Sequence, residues 1–192
     1  MEGIITLSDI IFLLIVFAAA VLYITFRLIV DKFTVYIDMD GVLAQWNTWA
    51  TLEDTYKPGY FLNCIPQENL IRAVKLLQMF GIRVCILSAV CNEQAAKEKS
   101  LWLDRYVGRF VQRIFVPYGT NKADYVGAGR NSLLIDDFSV NLHQWSATGN
   151  TGVKFYNGIN GTKGTWTGLS ISHEMSSVIL AFRIFCSLRQ CD

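Results

Sequence analysis

The stretch VYIDMDGVLAQW, residues 35–46, is where the fold prediction starts. An apolar, strand-like run ends there in two aspartates one residue apart, Asp38 and Asp40, and a glycine follows. Carboxylates at the end of a buried strand cost free energy unless a partner compensates their charge. The stretch therefore raises the question of which groups elsewhere in the chain pair with these two acids.

Composition limits the class of protein. The 192 residues suffice for one domain with a real core plus an appendage. A net charge of +1, with no long basic run, argues against binding of a nucleic-acid polymer. The five cysteines are odd in number and form no CxxC pair, so we expect reduced thiols in a reducing compartment, not a disulfide framework or a zinc site.

The N-terminal region predicts a membrane anchor. Ile10–Phe26 is a run of 17 uncharged residues, and it continues to Val30 if Arg27 snorkels. This length approaches the roughly 20 residues that a membrane-spanning helix needs. A buried core helix is the alternative, but the run is apolar on all sides, which favours the span.

The charges around this run predict its orientation. Arg27 and Lys32 are basic and lie at the C-terminal end of the run, so the positive-inside rule places the rest of the chain in the cytoplasm. The expected organisation is an anchor helix over 1–31 and a folded domain over 32–192. The protein would then be a single-pass membrane protein.

Strand-like and helix-like runs alternate after the anchor. The strand-like runs are 33–37, 82–88, 113–117, 132–137 and 152–156, and the helix-like runs are 67–80, 92–106 and 172–189. This alternation predicts a parallel, doubly wound sheet. Residues 124–129 predict a turn or a short helix, and residues 157–168, with four glycines, predict a loop.

The last helix-like run carries an apolar stripe. Its members are Met175, Val178, Phe182, Phe185 and Leu188. The stripe predicts a helix that packs against the sheet. A second interpretation is contact with a membrane surface, assisted by Arg183 and Arg189.

Polar side chains follow several of the predicted strands. They are the pair Asp38 and Asp40, Ser88, and the pair Asp136 and Asp137, with Lys122 in the loop after the third strand. Ligands of open parallel sheets bind beyond the carboxyl ends of the strands, so these groups are expected to converge. His143 and His173 match no part of this pattern, and we interpret them as structural or exposed.

This set of side chains suits one kind of chemistry. Carboxylates from two strands form a hard oxygen site that favours Mg²⁺ over zinc. Beside the metal, a carboxylate can attack phosphorus, while lysine adds positive charge and serine donates a hydrogen bond. Phosphoryl transfer needs mainly this positioning and charge neutralisation.

Four motifs then resemble those of the haloacid dehalogenase (HAD) superfamily. They are DMDGV at 38–42, ILS at 86–88, Lys122, and LLIDD at 133–137. Within the superfamily the chain resembles the 5'(3')-deoxyribonucleotidase family, especially its bacterial and phage-like members. The supporting stretches are YIDMDGVLA, ILSAV, WLDRY, FVPYGTNKADYV, NLHQW and NGINGTKGTW, so the resemblance covers residues 34–168 and not the N-terminal helix.

The resemblance implies a fold and two catalytic roles. The expected fold is a HAD-like, Rossmann-like three-layer α/β fold with a parallel sheet and a small cap at about 44–66, preceded by a transmembrane helix. Asp38 would be the nucleophile that forms an aspartyl-phosphate and a metal ligand. Asp40 would be the general acid and then the general base, with its backbone carbonyl on Mg²⁺.

The resemblance also implies binding roles. Ser88 and the backbone N–H of Ala89 would bind the phosphoryl oxygens, and Lys122 would neutralise the phosphate and the nucleophile. Asp136 or Asp137 would complete the metal site, and the sequence leaves open which of the two binds the metal directly.

The substrate is the less determined part of the prediction. The short cap carries the aromatic residues Trp46, Trp49, Tyr56, Tyr60 and Phe61. We select Trp46, Trp49, Tyr60 and Phe61 as candidate substrate residues, which either stack on a base or form a hydrophobic plug. Phe138 follows the acidic pair, so no arginine stands there to help hold a phosphate.

The expected function is a membrane-anchored, Mg²⁺-dependent phosphatase, in particular a 5'-nucleotidase on (deoxy)nucleoside monophosphates. One alternative is a HAD phosphatase for another small or larger phosphoester. An alternative of another class is a non-catalytic, membrane-anchored binding or scaffold protein, although no acid of the motifs is missing.

Overall fold

The computed structural model describes residues 6–126, 131–160 and 164–188. The chain divides into two compact units, Met1–Lys32 and Phe33–Asp192. The first unit holds one helix, and the second holds a sheet with its covering helices.

Helix α1 (Leu7–Val30) is the main feature of the first unit. It begins with a capping box in which Thr6 and Asp9 exchange hydrogen bonds between side chain and backbone. The segment Leu7–Leu28 has a mean hydropathy of 2.6, and none of its most apolar stretch is buried. The predicted helix is therefore confirmed, and its length and composition would allow it to cross a membrane.

A six-stranded parallel sheet forms the second unit. Its strands are β1 (Thr34–Ile37), β2 (Arg83–Val90), β3 (Gln112–Pro117), β4 (Ser132–Asp136), β5 (Thr151–Tyr156) and β6 (Leu169–Ser172). They lie in the order β3-β2-β1-β4-β5-β6, and every neighbouring pair is parallel. This confirms the predicted parallel, doubly wound sheet, with β1 and β4 adjacent at its centre.

Four helices cover the sheet. They are α2 (Glu68–Met79), α3 (Glu93–Tyr106), α4 (Ser139–Ala147) and α5 (Ser177–Leu188). The connections β1–α2–β2 and β4–α4–β5 run in opposite directions along the sheet, so right-handed crossovers place α2 and α4 on opposite faces. Helix α5 packs against α2. The result is the three-layer α/β architecture that the sequence predicts.

Close packing fixes the central strands. Val35, Ile37, Leu133 and Ile135 are fully buried, as expected for strands covered on both faces. On one face Trp145 of α4 packs with Leu142, Leu87, Val116 and Leu134. Full burial of a large apolar side chain stabilises the fold by about 1.5–3 kcal/mol, so this cluster fixes α4 against β2, β3 and β4.

Two elements were not predicted, α4 and β6. Helix α4 turns only Ser139, Leu142 and Trp145 inward, so its sequence shows little helical periodicity. Strand β6 is four residues long and buries only Ile171 fully. Both elements are formed by contacts with β5, which the local pattern does not contain.

The predicted packing of the last helix against the sheet is confirmed, but the predicted stripe is only partly right, since of its members Leu188 alone is buried. Val178 and Phe182 are exposed, and the buried positions are Leu180, Ile184, Ser187 and Leu188. The helix starts at Ser177, after the strand β6, instead of at 172. Position 172 belongs to the strand, and α2 then selects a different face of the helix.

The segment 44–66, which we call the cap, follows β1. Ala44 pairs with Asp40 and with Pro66, so the two ends of the cap are joined at its base. The cap contains two short 3-10 helices, Glu53–Tyr56 and Phe61–Asn63, and otherwise irregular backbone. This agrees with the prediction of a small, irregular cap.

The remaining loop predictions lie partly within the described residues. Lys122–Tyr125 forms a 3-10 helix, and residues 127–130 lie outside the described part of the chain. Residues 157–160 and 164–168 form a loop, as predicted. Among the described residues the cysteines are free thiols, namely Cys64, Cys85, Cys91 and Cys186.

Candidate active site

The ends of β1 and β4 bring three acids together. Ile37 pairs with Ile135, and the Asp38 N–H donates to the Ile135 carbonyl at 3.0 Å, so Asp38 continues β1 beside Asp136. One carboxylate oxygen each of Asp38, Asp136 and Asp137 lies within 4.8 Å of the others. The convergence expected from the sequence is thus present, and it follows from parallel pairing of adjacent strands.

Lys122 bridges two of these acids. Its Nζ lies 2.7 Å from Asp136 Oδ2 and 3.0 Å from Asp38 Oδ1. Burial by itself would lower the pKa of Lys122, but the carboxylates of Asp136 and Asp38 outweigh it and raise the pKa. The ammonium therefore stays charged beside the acids.

Asp136 is fixed by hydrogen bonds on both carboxylate oxygens. Oδ1 accepts from the Phe138 N–H at 2.8 Å, and Oδ2 accepts from Asn141 at 2.9 Å as well as from Lys122. Burial raises the pKa of Asp136, against the lowering effect of Lys122. Such a carboxylate has little rotational freedom, so its position in the site is fixed.

Asp137 is held by the loop after β5. Asn157 Nδ2 donates to Asp137 Oδ2 and to the Gly41 carbonyl, both at 2.9 Å. Gly41 has a φ of 72°, and a Cβ there would clash with the Asp137 carboxylate, so this position favours glycine on two grounds. Lys154 Nζ donates to the Asp137 carbonyl at 2.5 Å.

Three acids with one bridging lysine leave an excess of negative charge. Burial, with the charges of Asp136 and Asp38, raises the pKa of Asp137 to about 8. Lys122 and Lys154 act to lower the pKa of Asp137, but burial and the two neighbouring carboxylates outweigh them. A small divalent cation with a preference for oxygen ligands would offset this excess of negative charge, so the donor set fits Mg²⁺.

The second half of the site contains Asp40, Ser88 and a lysine that the sequence did not suggest. Lys99 Nζ lies 2.5 Å from Asp40 Oδ2, 3.0 Å from Ser88 Oγ and 2.6 Å from the Ala89 carbonyl. Lys99 is fully buried. Burial raises the pKa of Asp40, and Lys99 acts in the opposite direction.

Helix α3 also holds the cap. The buried Glu98 carboxylate accepts from the Gly59 N–H at 2.6 Å and from the Phe61 N–H at 3.1 Å. Trp102 Nε1 donates to the Cys64 carbonyl at 2.8 Å, and Lys99 Nζ lies 4.5 Å from the centre of the Phe61 ring. Neighbouring residues of α3 thus fix the cap and Asp40 to the same helix.

A cavity of about 400 Å³ opens over these groups. Asp38, Asp40, Lys122 and Asp137 line it together with Ala89. Its apolar wall consists of Trp46, Leu52, Phe61, Tyr118, Phe138 and Val140. The cavity therefore joins a charged floor to a largely aromatic rim.

The four candidate substrate residues separate into two groups. Trp46 and Phe61 line the cavity above the acids. Trp49 and Tyr60 line a neighbouring cavity of about 800 Å³, which Trp46 also borders. Trp49 is 92% exposed and lies apart from the charged floor.

Of the predicted site residues, Asp38, Asp40, Ala89, Lys122 and Asp137 line one cavity, whereas Ser88 and Asp136 are fully buried and are not among its lining residues. Asp38, Lys122 and Asp136 are in direct contact, and Asp40 and Ser88 both contact Lys99. For Ala89 the described contact is through its carbonyl and not through the predicted N–H. His143 bonds Thr165 and His173 bonds the Tyr156 carbonyl, and neither lines the cavity.

Glu98, Lys99 and Asn157 are site residues that the sequence motifs do not indicate. The segment NEQAAKEKS predicts a helix that is charged early in its length. Helical spacing contains the missing signal, because Ala95, Glu98, Lys99, Trp102 and Leu103 form one buried stripe. A charged pair inside an otherwise apolar stripe indicates buried partners.

Comparisons with known proteins agree with this architecture. No protein-family model and no curated protein matches the sequence. Among solved structures, the D,D-heptose 1,7-bisphosphate phosphatase of Burkholderia thailandensis matches with a TM-score of 0.54 at 14% identity, over 81% of this chain and 98% of its own. The corresponding Bordetella enzyme (B. bronchiseptica), in complex with magnesium and phosphate, matches with a TM-score of 0.56 at 12% identity, over 80% of this chain and 98% of its own.

A third structure, from Mesorhizobium loti and described as a HAD-like phosphatase, matches with a TM-score of 0.53 at 11% identity, over 83% of this chain and 87% of its own. At these identities the comparisons establish the fold, which is HAD-like. They do not bear on the narrower resemblance to 5'(3')-deoxyribonucleotidases, which stays a prediction.

Proposed function

We propose that the chain is a Mg²⁺-dependent phosphomonoester hydrolase that acts through an aspartyl-phosphate intermediate. The observation that carries this proposal is the group of Asp38, Asp136 and Asp137 within 4.8 Å, bridged by Lys122. Positioned charge of both signs at one cavity is what phosphoryl transfer requires. The HAD-like fold, shared with phosphatases, supports the same reaction class.

The carboxylates of Asp38 and Asp137 and the main-chain carbonyl of Asp40 would hold the Mg²⁺. When bound, the ion neutralises charge on the phosphoryl group, so that an anionic nucleophile can approach it. We assign Asp137 as the direct ligand instead of Asp136. The hydrogen bonds of Asp136 engage both of its oxygens, whereas those described for the Asp137 carboxylate engage Oδ2.

The first step transfers the phosphoryl group to the protein. A carboxylate oxygen of Asp38 attacks phosphorus, and the bond from phosphorus to the leaving alcohol oxygen breaks. The carboxylic acid of Asp40 gives its proton to that oxygen, so the alcohol departs neutral. Lys122, 3.0 Å from Asp38 Oδ1, offsets the negative charge around the nucleophile.

The second step restores the protein. The Asp40 carboxylate takes a proton from water, and the water oxygen attacks phosphorus. The bond from phosphorus to Asp38 breaks, which releases inorganic phosphate and regenerates the Asp38 carboxylate. Lys99 holds Asp40 Oδ2 through both steps, and the same ammonium orients Ser88, which donates a hydrogen bond to a phosphoryl oxygen.

A (deoxy)nucleoside monophosphate is the proposed substrate. The cavity of about 400 Å³ has room for a small phosphorylated molecule, and Trp46, Phe61 and Phe138 offer aromatic faces for a base. Asn141 and Gln144 at the same cavity can hydrogen-bond polar ring substituents.

A sugar phosphate is the second candidate. The observation in its favour is the HAD-like fold that the chain shares with proteins named as heptose bisphosphate phosphatases. An aromatic rim also accommodates sugar rings. The same residues, Asp38 and Asp40, would carry out the chemistry, so only the identity of the leaving group differs.

We infer in addition that α1 anchors the protein in a membrane with residues 33–192 on the cytoplasmic side. The apolar length of Leu7–Leu28 and the basic residues Arg27 and Lys32 after its main part support this topology. Protease digestion of right-side-out and inverted vesicles tests it. Cleavage of the domain in inverted vesicles alone is expected, and cleavage in right-side-out vesicles would contradict it.

The full chain, purified in detergent, provides the test of the activity. A panel of nucleoside monophosphates, sugar phosphates and p-nitrophenyl phosphate is assayed with Mg²⁺ and with EDTA. We expect Mg²⁺-dependent phosphate release, fastest with nucleoside monophosphates. A folded sample that is inactive on every substrate contradicts the proposal and favours a scaffold. Faster turnover of sugar phosphates contradicts only the nucleotide assignment.

A further inference from the structure

The edge of the sheet opposite the acids exposes large apolar side chains. We call this the amino edge, because the N-terminal ends of all six parallel strands meet there. Among the described residues, its exposed apolar side chains include Met79, the last residue of α2, Phe80, in the loop between α2 and β2, and Phe110, in the loop before β3. They are 81%, 62% and fully exposed, respectively.

These three side chains belong to one surface. Strands β2 and β3 are hydrogen-bonded neighbours in which Cys85 pairs with Gln112. Continuation of this register by two residues places Phe110 beside Arg83, and Phe80 precedes Arg83 by three residues. Neighbouring strands lie about 4.8 Å apart, so the two loops are adjacent. Single exposed apolar residues are common, but adjacent ones mark an interaction surface.

Basic residues outnumber acids at this edge: in the segment before β1, Asp31 pairs with Arg27 and is followed by Lys32. The loops before β2, β3, β4 and β5, over the described residues 79–83, 108–112, 131–132 and 148–151, contain Arg83 and Arg109 and no acid. Both arginines are exposed. Aromatic side chains interleaved with arginine suit the headgroup region of a bilayer that contains anionic lipid.

The order of the chain favours a lipid surface over a protein partner. Arg83 pairs with Thr34, the first residue of β1, so β1 starts at this edge. Only residues 31–33 separate that strand from α1, which is long and apolar enough to cross a membrane. A connection of three residues reaches at most about 11 Å. The start of β1, at the amino edge, is therefore joined to α1 by a very short segment.

We propose that the amino edge is a lipid-binding surface, in which Met79, Phe80 and Phe110 enter the headgroup region of an anionic bilayer and Arg83 and Arg109 contact its phosphates. This inference rests on the proposed anchoring by α1 and does not depend on the proposed phosphatase activity. It assigns a role to exposed apolar side chains that belong neither to the core nor to the substrate cavity.

Photocrosslinking of the full chain in lipid nanodiscs tests the proposal. A benzophenone analogue of phenylalanine replaces Phe80 or Phe110, and the control replaces Tyr118, which is 62% exposed at the opposite end of β3. The six residues of β3 separate positions 110 and 118 by about 20 Å. A further position, Phe182 on the exposed face of α5, tests the membrane contact of that helix.

We expect lipid adducts at positions 80 and 110 and few at 118 and 182, measured by mass spectrometry. Equal lipid adducts at 110 and 118, or adducts at 182 without any at 110, overturn the proposal. Adducts between two copies of the chain at 80 and 110 would assign the edge to a second copy instead. All four positions are exposed, so the analogue leaves the core unchanged.

The charge component has its own test. In nanodiscs with phosphatidylglycerol, Arg109→Gln is expected to lower the adduct yield at position 110 about fivefold, because one basic residue near an anionic surface contributes about 1 kcal/mol. In nanodiscs of phosphatidylcholine alone the same variant should change little. An unchanged yield in both lipids contradicts the contact between Arg109 and anionic lipid.

Discussion

The two edges of the parallel sheet differ in what they bury and what they expose. At the carboxyl edge, Lys122, Asp136 and Ser88 are buried and bonded to one another or to Lys99. At the amino edge, the end of α2 exposes Met79 and the loop before β3 exposes Phe110 to solvent. Buried charge and exposed apolar surface both cost free energy, so the comparison indicates that each edge serves a function and not only stability.

The largest expected effect is at the nucleophile. Asp38→Asn keeps the shape of the side chain and removes the attacking carboxylate, so turnover should fall by about 10⁴-fold or more. Asp124→Asn, an exposed acid outside the cluster, should stay within about twofold of the wild type. Steady-state phosphate release measures both. An Asp38→Asn variant with substantial turnover means that another group attacks.

Lys99→Met should give the next largest loss. Without the ammonium, Asp40 loses its 2.5 Å contact and its fixed orientation as general acid. We expect kcat to fall about 10²-fold on an alkyl phosphate, the scale of general acid catalysis, and much less on p-nitrophenyl phosphate. The nitrophenolate departs readily without a proton, whereas an alkoxide does not.

The matched control for this variant is Lys97→Met. Lys97 lies on the same helix, is exposed and pairs with Glu93. It should leave kcat unchanged on both substrates. An equal loss on both substrates in Lys99→Met would show that Lys99 acts only on the structure of the site.

Asn157→Ala should weaken the metal site without removing a ligand. Asn157 bonds Asp137 Oδ2 and the Gly41 carbonyl, and loss of such supporting contacts typically costs about 10–100-fold in metal affinity. Isothermal titration with Mg²⁺ measures the effect. Asn150→Ala, whose side chain bonds Thr148 before β5, is the control. Unchanged affinity in Asn157→Ala means that Asp137 is not a ligand or needs no support.

The smallest effect is expected at the amino edge. Phe80→Ser combined with Phe110→Ser removes exposed apolar surface, far from the acids along β2 and β3. On a soluble substrate kcat should remain within about twofold of the wild type. A large loss of kcat would mean that the two edges are coupled through the sheet, and it would contradict the separate roles of the two edges.

The charged floor of the cavity could be predicted from the sequence because its acids stand at the ends of regular strands. Asp38 and Asp136 stand at the ends of adjacent strands, and strand periodicity with apolar composition identifies such ends locally. Lys122 could be included because it follows the third strand. The direct contact of these three residues is a consequence of parallel topology, which the alternation of elements already indicates.

The contacts that fix the side chains of the site could not be predicted from the sequence. Lys99 reaches Asp40 across 59 positions of sequence, and Asn157 reaches Gly41 across 116. Neither pair has a local pattern, since each depends on how elements pack. The prediction that Val178 and Phe182 of α5 are buried is wrong for the same reason, because packing against α2 decides which face of that helix is buried.

The structure of the cap is the part of the fold that the sequence predicts least. Segment 44–66 has no long regular element, and Glu98 and Trp102 of α3 hold it by bonds to backbone groups of Gly59, Phe61 and Cys64. The sequence shows that the cap contains aromatic residues. Only the packing shows that Phe61 lines the cavity above the acids and that Trp49 lines the neighbouring cavity.

The aspartyl-phosphate itself tests the central claim most directly. Asp40→Asn removes the base that activates water, while p-nitrophenyl phosphate still permits the first step because its leaving group needs no proton. After acid quench in the presence of Mg²⁺, peptide mass spectrometry should find one phosphoryl group on Asp38. Phosphate release without any phosphorylated peptide, or with the phosphoryl group on another residue, would contradict the account.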